Sequence, residues 1–194
     1  MDFSELYVWR PLLRQGALHV NPVDEEIDGY ALLRGNVALQ QPVRFVRHMG
    51  RNPSGDIITT GLAAIWLISD RIVTLLQREG ITGWKPYPVE VTGKGSAPVT
   101  GYHGFFVTGR CGPIDPRRSV VKTLPPLYPG DEGEQVRLGL YFDLETWDGS
   151  DIFVAPNSNV VMVIQRVKEL MEQNHIRGCA FDPLTEVRNY MRVE

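Results

Sequence analysis

Ser69-Asp70-Arg71-Ile72-Val73-Thr74-Leu75-Leu76-Gln77-Arg78-Glu79-Gly80-Ile81-Thr82-Gly83-Trp84 is the stretch from which the fold is read. Ser69 or Asp70 supplies an N-cap, Ile72, Leu75 and Leu76 recur at helical spacing, and Gly80 is a C-terminal stop. The reading is a helix from Ser69 to Glu79, an Ile-x-Gly turn, then a strand over Tyr87–Val91. Ile65, Trp66 and Ile68 lead into it and are expected to be buried. The same pattern returns 95 residues later. Arg71-Ile72 falls on Arg166-Val167, Leu75-Leu76 on Leu170-Met171, Ile81 on Ile176, Gly83 on Gly178 and Pro88 on Pro183. A second helix is therefore expected over Ile164–Asn174, followed by a strand at Cys179-Ala180-Phe181. Two explanations stand side by side. The units are copies of one another, or each helix-turn-strand passage independently needs a glycine after an apolar residue.

Working outward, Gly101–Thr108 reads as a strand that pairs with Tyr87–Val91 as a hairpin. Arg137–Phe142, Ile152–Val154 and Val160–Val163 read as further strands. The first 60 residues are less regular, with an acidic turn at Asp24, Glu25, Glu26 and Asp28 and two weak strands within Ala31–Arg47, broken at Gln41-Pro42. The 19 glycines and 14 prolines imply many turns. The fold class expected is α+β: a mostly antiparallel sheet with two principal amphipathic helices on one face, arranged as two related helix-turn-strand units if the repeat is real. Residues 1–60 are expected as an irregular N-terminal region packed on a main domain at 61–194.

Length and charge bound the rest. At about 150 residues per domain, 194 residues make one domain or two small ones. A net charge of −3 lacks the basic excess usual in nucleic-acid and membrane-surface binders, so neither partner is expected. Two cysteines, Cys111 and Cys179, exclude a disulfide scaffold and a cysteine zinc site. Asp2 and Glu5 follow Met1 without a basic or long apolar leader, and Gly61–Ile68 is far too short to span a bilayer. A soluble cytoplasmic protein with reduced cysteines is expected.

Candidates for chemistry are few. His103 sits between Tyr102 and Gly104, and with Cys111 and Asp115 it offers the residue types of a thiol–imidazole–carboxylate site. The simpler reading is a polar strand histidine and a packing cysteine. Gly93-Lys94-Gly95-Ser96 lacks the spacing and following helix of a phosphate loop, and reads as a hairpin turn. His19, His48, His103 and His175 share no ligand spacing. Asp148 and Asp151 in Asp-Gly-Ser-Asp read as a capped turn rather than a calcium loop. No catalytic residue, metal or cofactor is assigned. The most informative feature is regional: Asp131–Asp151 carries seven acids against the single base Arg137, a net of −6. Tyr141, Phe142 and Trp147 interleave with them. Beside the plain reading of a solvated face stands a docking surface for a basic partner, with Asp143, Glu145, Trp147, Asp148 and Asp151 as the partner-binding residues.

Trp66-Leu67-Ile68-Ser69-Asp70-Arg71, Gly80-Ile81-Thr82-Gly83-Trp84, Gly101-Tyr102-His103-Gly104, Val107–Asp115, Gly139-Leu140-Tyr141-Phe142-Asp143 and Thr146–Asp151 together resemble a family of bacterial immunity proteins. The family belongs to polymorphic toxin systems and is abundant in myxobacteria. The likeness runs from about Ile65 to the C-terminus, and its motifs of aromatics, Gly and Pro mark a fold rather than a catalytic site. What the resemblance implies is a non-enzymatic, cytoplasmic protein that binds a cognate toxin and blocks it. An acidic surface would suit a toxin that is basic or acts on nucleic acid, by imitating phosphate. The alternatives are a scaffold or regulatory module without a toxin partner, and an enzyme using His103. Oligomeric state is not legible.

Overall fold

The computed structural model describes residues 2–53, 55–126, 128 and 132–192. In chain order its elements are β1 (Leu6–Pro11), β2 (His19–Pro22), α1 (Gly29–Leu33), β3 (Val43–Met49), β4 (Ile57–Thr60), β5 (Trp66–Ser69), α2 (Asp70–Arg78), β6 (Trp84–Thr92), β7 (Pro98–Val99), β8 (Tyr102–Val107), β9 (Gly109–Arg110), β10 (Val120–Thr123), β11 (Gln135–Leu138), β12 (Ile152–Val154), β13 (Met162–Ile164), α3 (Gln165–Gln173), β14 (Cys179–Pro183) and β15 (Arg188–Asn189).

Both expected helices form where the apolar spacing puts them. Ser69 caps α2 by accepting from the Ile72 N–H. Gly80, at φ +64°, ends it in the left-handed region. The buried stripe is Ile72, Val73, Leu75 and Leu76 on α2, and Val167 and Met171 on α3. A third, shorter helix replaces the weak strand expected after Ala31. The Asp28 carboxylate accepts from the N–H groups of Tyr30 and Ala31, starting α1, and Leu32 and Leu33 bury its one apolar turn.

The strands form three sheets rather than one mostly antiparallel sheet. Strands β3-β2-β4-β5-β8-β6 close into a six-stranded barrel, because β3 pairs with both β2 and β6. The open sheet runs β14-β1-β13-β12-β9, and a small third sheet runs β10-β11-β15. Parallel pairs, β2–β4, β3–β6 and β9–β12, interrupt the antiparallel pattern. The two nine-residue helices do not share a sheet: α2 packs on β5 and β8, α3 on β1 and β13. They meet instead in one core. The expected hairpin does form, with Trp84 opposite Val107 and Pro88 opposite His103.

The 95-residue echo is a property of the three-dimensional structure. In the β4–β5 hairpin Ile57 faces Ile68, and in the β12–β13 hairpin Ile152 faces Val163, the same register displaced by 95. The barrel order β6-β8-β5-β4-β2 matches the open-sheet order β14-β1-β13-β12-β9 strand for strand. Each half lends its first strand to the other: β1 lies between β13 and β14, while β8 lies between β5 and β6. Where the halves meet, Trp9 of β1 stacks on Phe105 of β8, ring centroids 5.3 Å apart. Arg71 donates to the Asn174 carbonyl at the end of α3, and Arg166 donates to the Glu79 carbonyl at the end of α2. Each arginine satisfies a carbonyl that its partner helix leaves without an internal donor. The strands and helix supplied by residues 2–60 are thus woven into the barrel and the open sheet.

Two cores follow. The larger contains Trp9, Trp66, Phe105, Ile72, Leu76, Val163 and Val167; the smaller contains Leu6, Val8, Cys111, Phe142, Phe153 and Met162. Leu6 and Val8 of β1 face the smaller core while Trp9 faces the larger, so the open sheet is covered on both sides. That is why Ile152-Phe153-Val154 is apolar without alternation.

Candidate functional site

The part of the acidic segment from Asp143 to Asp151 folds as a loop beside the smaller core, against which Leu144 and Trp147 pack. Asp143 begins it by accepting from the Glu145 N–H at 3.1 Å, capping the single 3-10 turn Leu144–Thr146. Thr146 ties the turn to the segment after β9 by accepting from the Gly112 N–H at 2.8 Å. Asp148 accepts from the N–H groups of Arg110 at 2.7 Å and Ser150 at 3.0 Å. The capped turn expected from Asp-Gly-Ser-Asp is therefore present. Beneath it lies Cys111, 6% exposed, whose thiol is pushed up to about 12 by burial and then by the charge of Asp148. A thiol so held is a packing group and not a nucleophile at neutral pH.

The five residues assigned to partner binding separate into two groups. Asp143, Glu145 and Asp148 are exposed and make no ion pair among the described residues. Asp151 requires a correction. It is 8% exposed, and its Oδ2 accepts from the Thr82 N–H at 2.8 Å and the Thr82 hydroxyl at 2.9 Å. Its carboxylate faces inward and joins the halves of the fold. Trp147 is half-buried: its indole N–H donates to the Ser150 carbonyl, and its ring packs on Phe153 at 5.4 Å. It stiffens the loop rather than standing out from it.

The Asp151 clasp is a structural role that the sequence reading, which placed this residue on the docking surface, did not give. Its equivalent is Asp56, whose Oδ2 accepts from the Arg177 N–H at 2.8 Å. Thr82 and Arg177 are 95 residues apart, as are Asp56 and Asp151. The signal was available: Asp56-Ile57 and Asp151-Ile152 extend the echo upstream of the helices. Gly83 follows from the same packing. It adopts φ +83°, and a Cβ there would lie 2.0 Å from the Ile152 carbonyl oxygen.

The remaining acids are less concentrated in space than in sequence. Glu134 pairs with Arg188, and Asp131 lies outside the described residues. Of the Asp24–Asp28 cluster, Asp28 caps α1 and Asp24 accepts from the Glu26 N–H; Tyr30 of α1 and Arg34 just after it hydrogen-bond to the 155–159 turn. The thiol–imidazole–carboxylate grouping does not assemble. His103 Nε2 meets Asp70 Oδ1 at 2.6 Å at the surface, Cys111 is buried in the smaller core, and Asp115 caps the turn Pro116–Arg118. Gly93–Ser96 is the turn between β6 and β7. Among the described residues no three His, Cys, Asp or Glu side chains gather as a metal site.

What this arrangement offers is a fixed surface of three carboxylates. A family model described as an immunity protein family, Imm11, matches residues 9–186. The chain belongs to that family. The match reaches back well before Ile65, into residues that carry none of the motifs quoted above. No curated protein matches the chain. No helix among the described residues is long and apolar enough to cross a membrane.

Proposed function

We propose that this Imm11 protein binds a cognate toxin in the cytoplasm of the producing cell and neutralises it without catalysis, docking through Asp143, Glu145 and Asp148. Family membership over residues 9–186 carries the toxin-binding part of this reading. The docking part is supported by three exposed carboxylates whose backbone is already fixed by caps and cross-strand bonds. A pre-ordered loop loses little further entropy on association. Unpaired carboxylates steer a cationic partner and disfavour anionic ones. A toxin that is basic, or that grips nucleic acid through a basic groove, fits this charge.

The test is a rescue. The C-terminal domain encoded by the adjacent gene is expressed in a naive bacterium with and without the chain. Growth arrest relieved by the wild-type chain is expected. Asp143→Asn and Asp148→Asn, which keep the capping oxygens and remove the charge, combined with Glu145→Lys should abolish relief while leaving the folded protein at normal abundance. Relief by this triple variant equal to wild type removes the carboxylates from the interface. Arrest that the wild-type chain cannot relieve removes that toxin as the partner and favours a scaffold role.

A further inference from the structure

A second surface of opposite sign lies where the loop after β1 meets the ends of β2, β3 and β4. It encloses a cavity of about 470 Å³, walled by Leu12, Leu18, Met49 and Ile57. Leu13 and Met49 stand at its mouth, 82% and 54% exposed. Exposed apolar side chains around a preformed apolar cavity are unusual unless something docks there. Two of the three segments that build it carry no acid, since neither residues 6–23 nor residues 29–55 contain an Asp or Glu, and Asp56, which precedes the third, is 8% exposed and accepts from the Ser69 hydroxyl and the Arg177 N–H. Arg14 and Arg51 are exposed and Arg47 is half-buried, donating to the Gly50 carbonyl at 2.9 Å. The Arg51 N–H in turn donates to the Gly16 carbonyl, which holds the two segments together. None of these three arginines is in an ion pair among the described residues. On the cavity wall His19 shares a hydrogen bond of 2.8 Å with Thr59. Burial, and then His48, push its pKa down, so the wall is neutral while the rim is cationic.

We propose that this cavity binds an acidic segment of a protein partner, seating one aliphatic or aromatic side chain between Leu12, Met49 and Ile57 while Arg14, Arg47 and Arg51 pair with flanking carboxylates. The apolar wall selects a hydrophobic side chain, and the unpaired arginines select its neighbours. Nucleic acid is the poorer fit for the same charge, since no Trp, Tyr or Phe lines the cavity to stack on a base. The proposal is independent of the toxin reading and of the carboxylate loop.

The probe is the peptide Glu-Glu-Leu-Glu-Glu, titrated into the full-length ¹⁵N-labelled protein at low salt. Amide shifts confined to residues 12–19, 47–51 and 57–59 are expected. Replacing the central leucine by serine should weaken binding about tenfold, from the lost burial of one apolar side chain. Arg14→Glu with Arg51→Glu should weaken it about tenfold or more, whereas Asp143→Lys with Glu145→Lys should not weaken it. Absence of shifts, or equal affinity for the serine peptide, overturns the proposal without needing any protein variant to fold. So does tighter binding of a ten-nucleotide thymidine strand at the same residues.

Discussion

Asp151→Ala separates a structural role from a docking role at one residue. In the folded chain the carboxylate accepts from the Thr82 N–H and the Thr82 hydroxyl, at 2.8 and 2.9 Å, from a site that is 8% exposed. Removing it leaves the part-buried N–H and hydroxyl of Thr82 without their acceptor. A hydrogen bond to a charged group is worth about 1.5–3 kcal/mol net, and a second, partly redundant one adds less. The expected loss is about 3 kcal/mol. With a urea m-value of about 2 kcal/mol/M, the unfolding midpoint should fall by about 1.5 M with unchanged slope. Asp151→Asn keeps an acceptor oxygen in place and should cost about 1 kcal/mol. Asp56→Ala should resemble Asp151→Ala, since Asp56 makes the equivalent bond to the Arg177 N–H. Urea unfolding of the three purified variants, followed by tryptophan fluorescence, reads all three. A midpoint for Asp151→Ala within 0.25 M of wild type would refute the clasp and return Asp151 to the docking surface. In that case the same variant would lose toxin rescue while remaining stable.

Three further outcomes follow from the same geometry. Gly83→Ala forces a Cβ to within 2.0 Å of the Ile152 carbonyl oxygen from a backbone at φ +83°, so it should destabilise by about 3 kcal/mol or reduce soluble yield outright. Burial pushes the Cys111 thiol up to about 12 and the Cys179 thiol up to about 11. Above about pH 9 the unfolded chain then releases these protons while the folded chain retains them, and stability should fall by up to about 1.4 kcal/mol per pH unit for each thiol until the folded values are reached. Urea midpoints between pH 8 and 10.5 check this, and substituting both cysteines by alanine should flatten the slope. Arg71→Ala removes the donor to the carbonyls ending α3 and should lower stability by about 1 kcal/mol, with hydrogen exchange rising at Asn174–Ile176.

Much of this fold was legible in the chain. The spacing of Ile72, Leu75 and Leu76 and the glycine at 80 locate α2 to within a residue at each end. The 95-residue offset located α3 from α2. What periodicity cannot carry is which strands neighbour one another. Barrel closure depends on β3 finding β6, a pairing of Phe45 with Val91 across a long sequence separation. The exchange of β1 and β8 likewise places partners far apart in sequence and close in space. Helix α1 was missed because five residues give too short a window for a helical period, though its Asp28 cap was visible. The candidate site divides along the same line. Local charge showed that Asp143, Glu145 and Asp148 form an acidic run. Only the fold shows that Asp151, three residues on, is turned inward to a threonine 69 positions earlier.

The repeat also explains where function can reside. Strands β4, β5 and β6 with α2, and strands β12, β13 and β14 with α3, repeat one another in register, clasp and capping arginine. Such matched parts are occupied in holding the two halves together. The segments that break the match lie between β2 and β4 and between β9 and β12. The first contributes β3, which closes the barrel, and with the loop after β1 it forms the cationic cavity. The second contributes β10, β11 and the carboxylate loop, and leaves its own sheet open. The first insert, residues 23–56, holds five acids and four arginines, and the second, residues 111–151, holds eight acids and four bases, so the charge contrast lies in stretches within them: residues 29–55 carry no acid, and Asp131–Asp151 carries a net of −6. Within the two regions that the internal symmetry leaves free to vary, one stretch is cationic and another is anionic. A partner that presented both signs would find both surfaces braced by one scaffold. Charge reversal at either surface alone should then weaken binding of that partner in a salt-dependent way, and the two reversals should add.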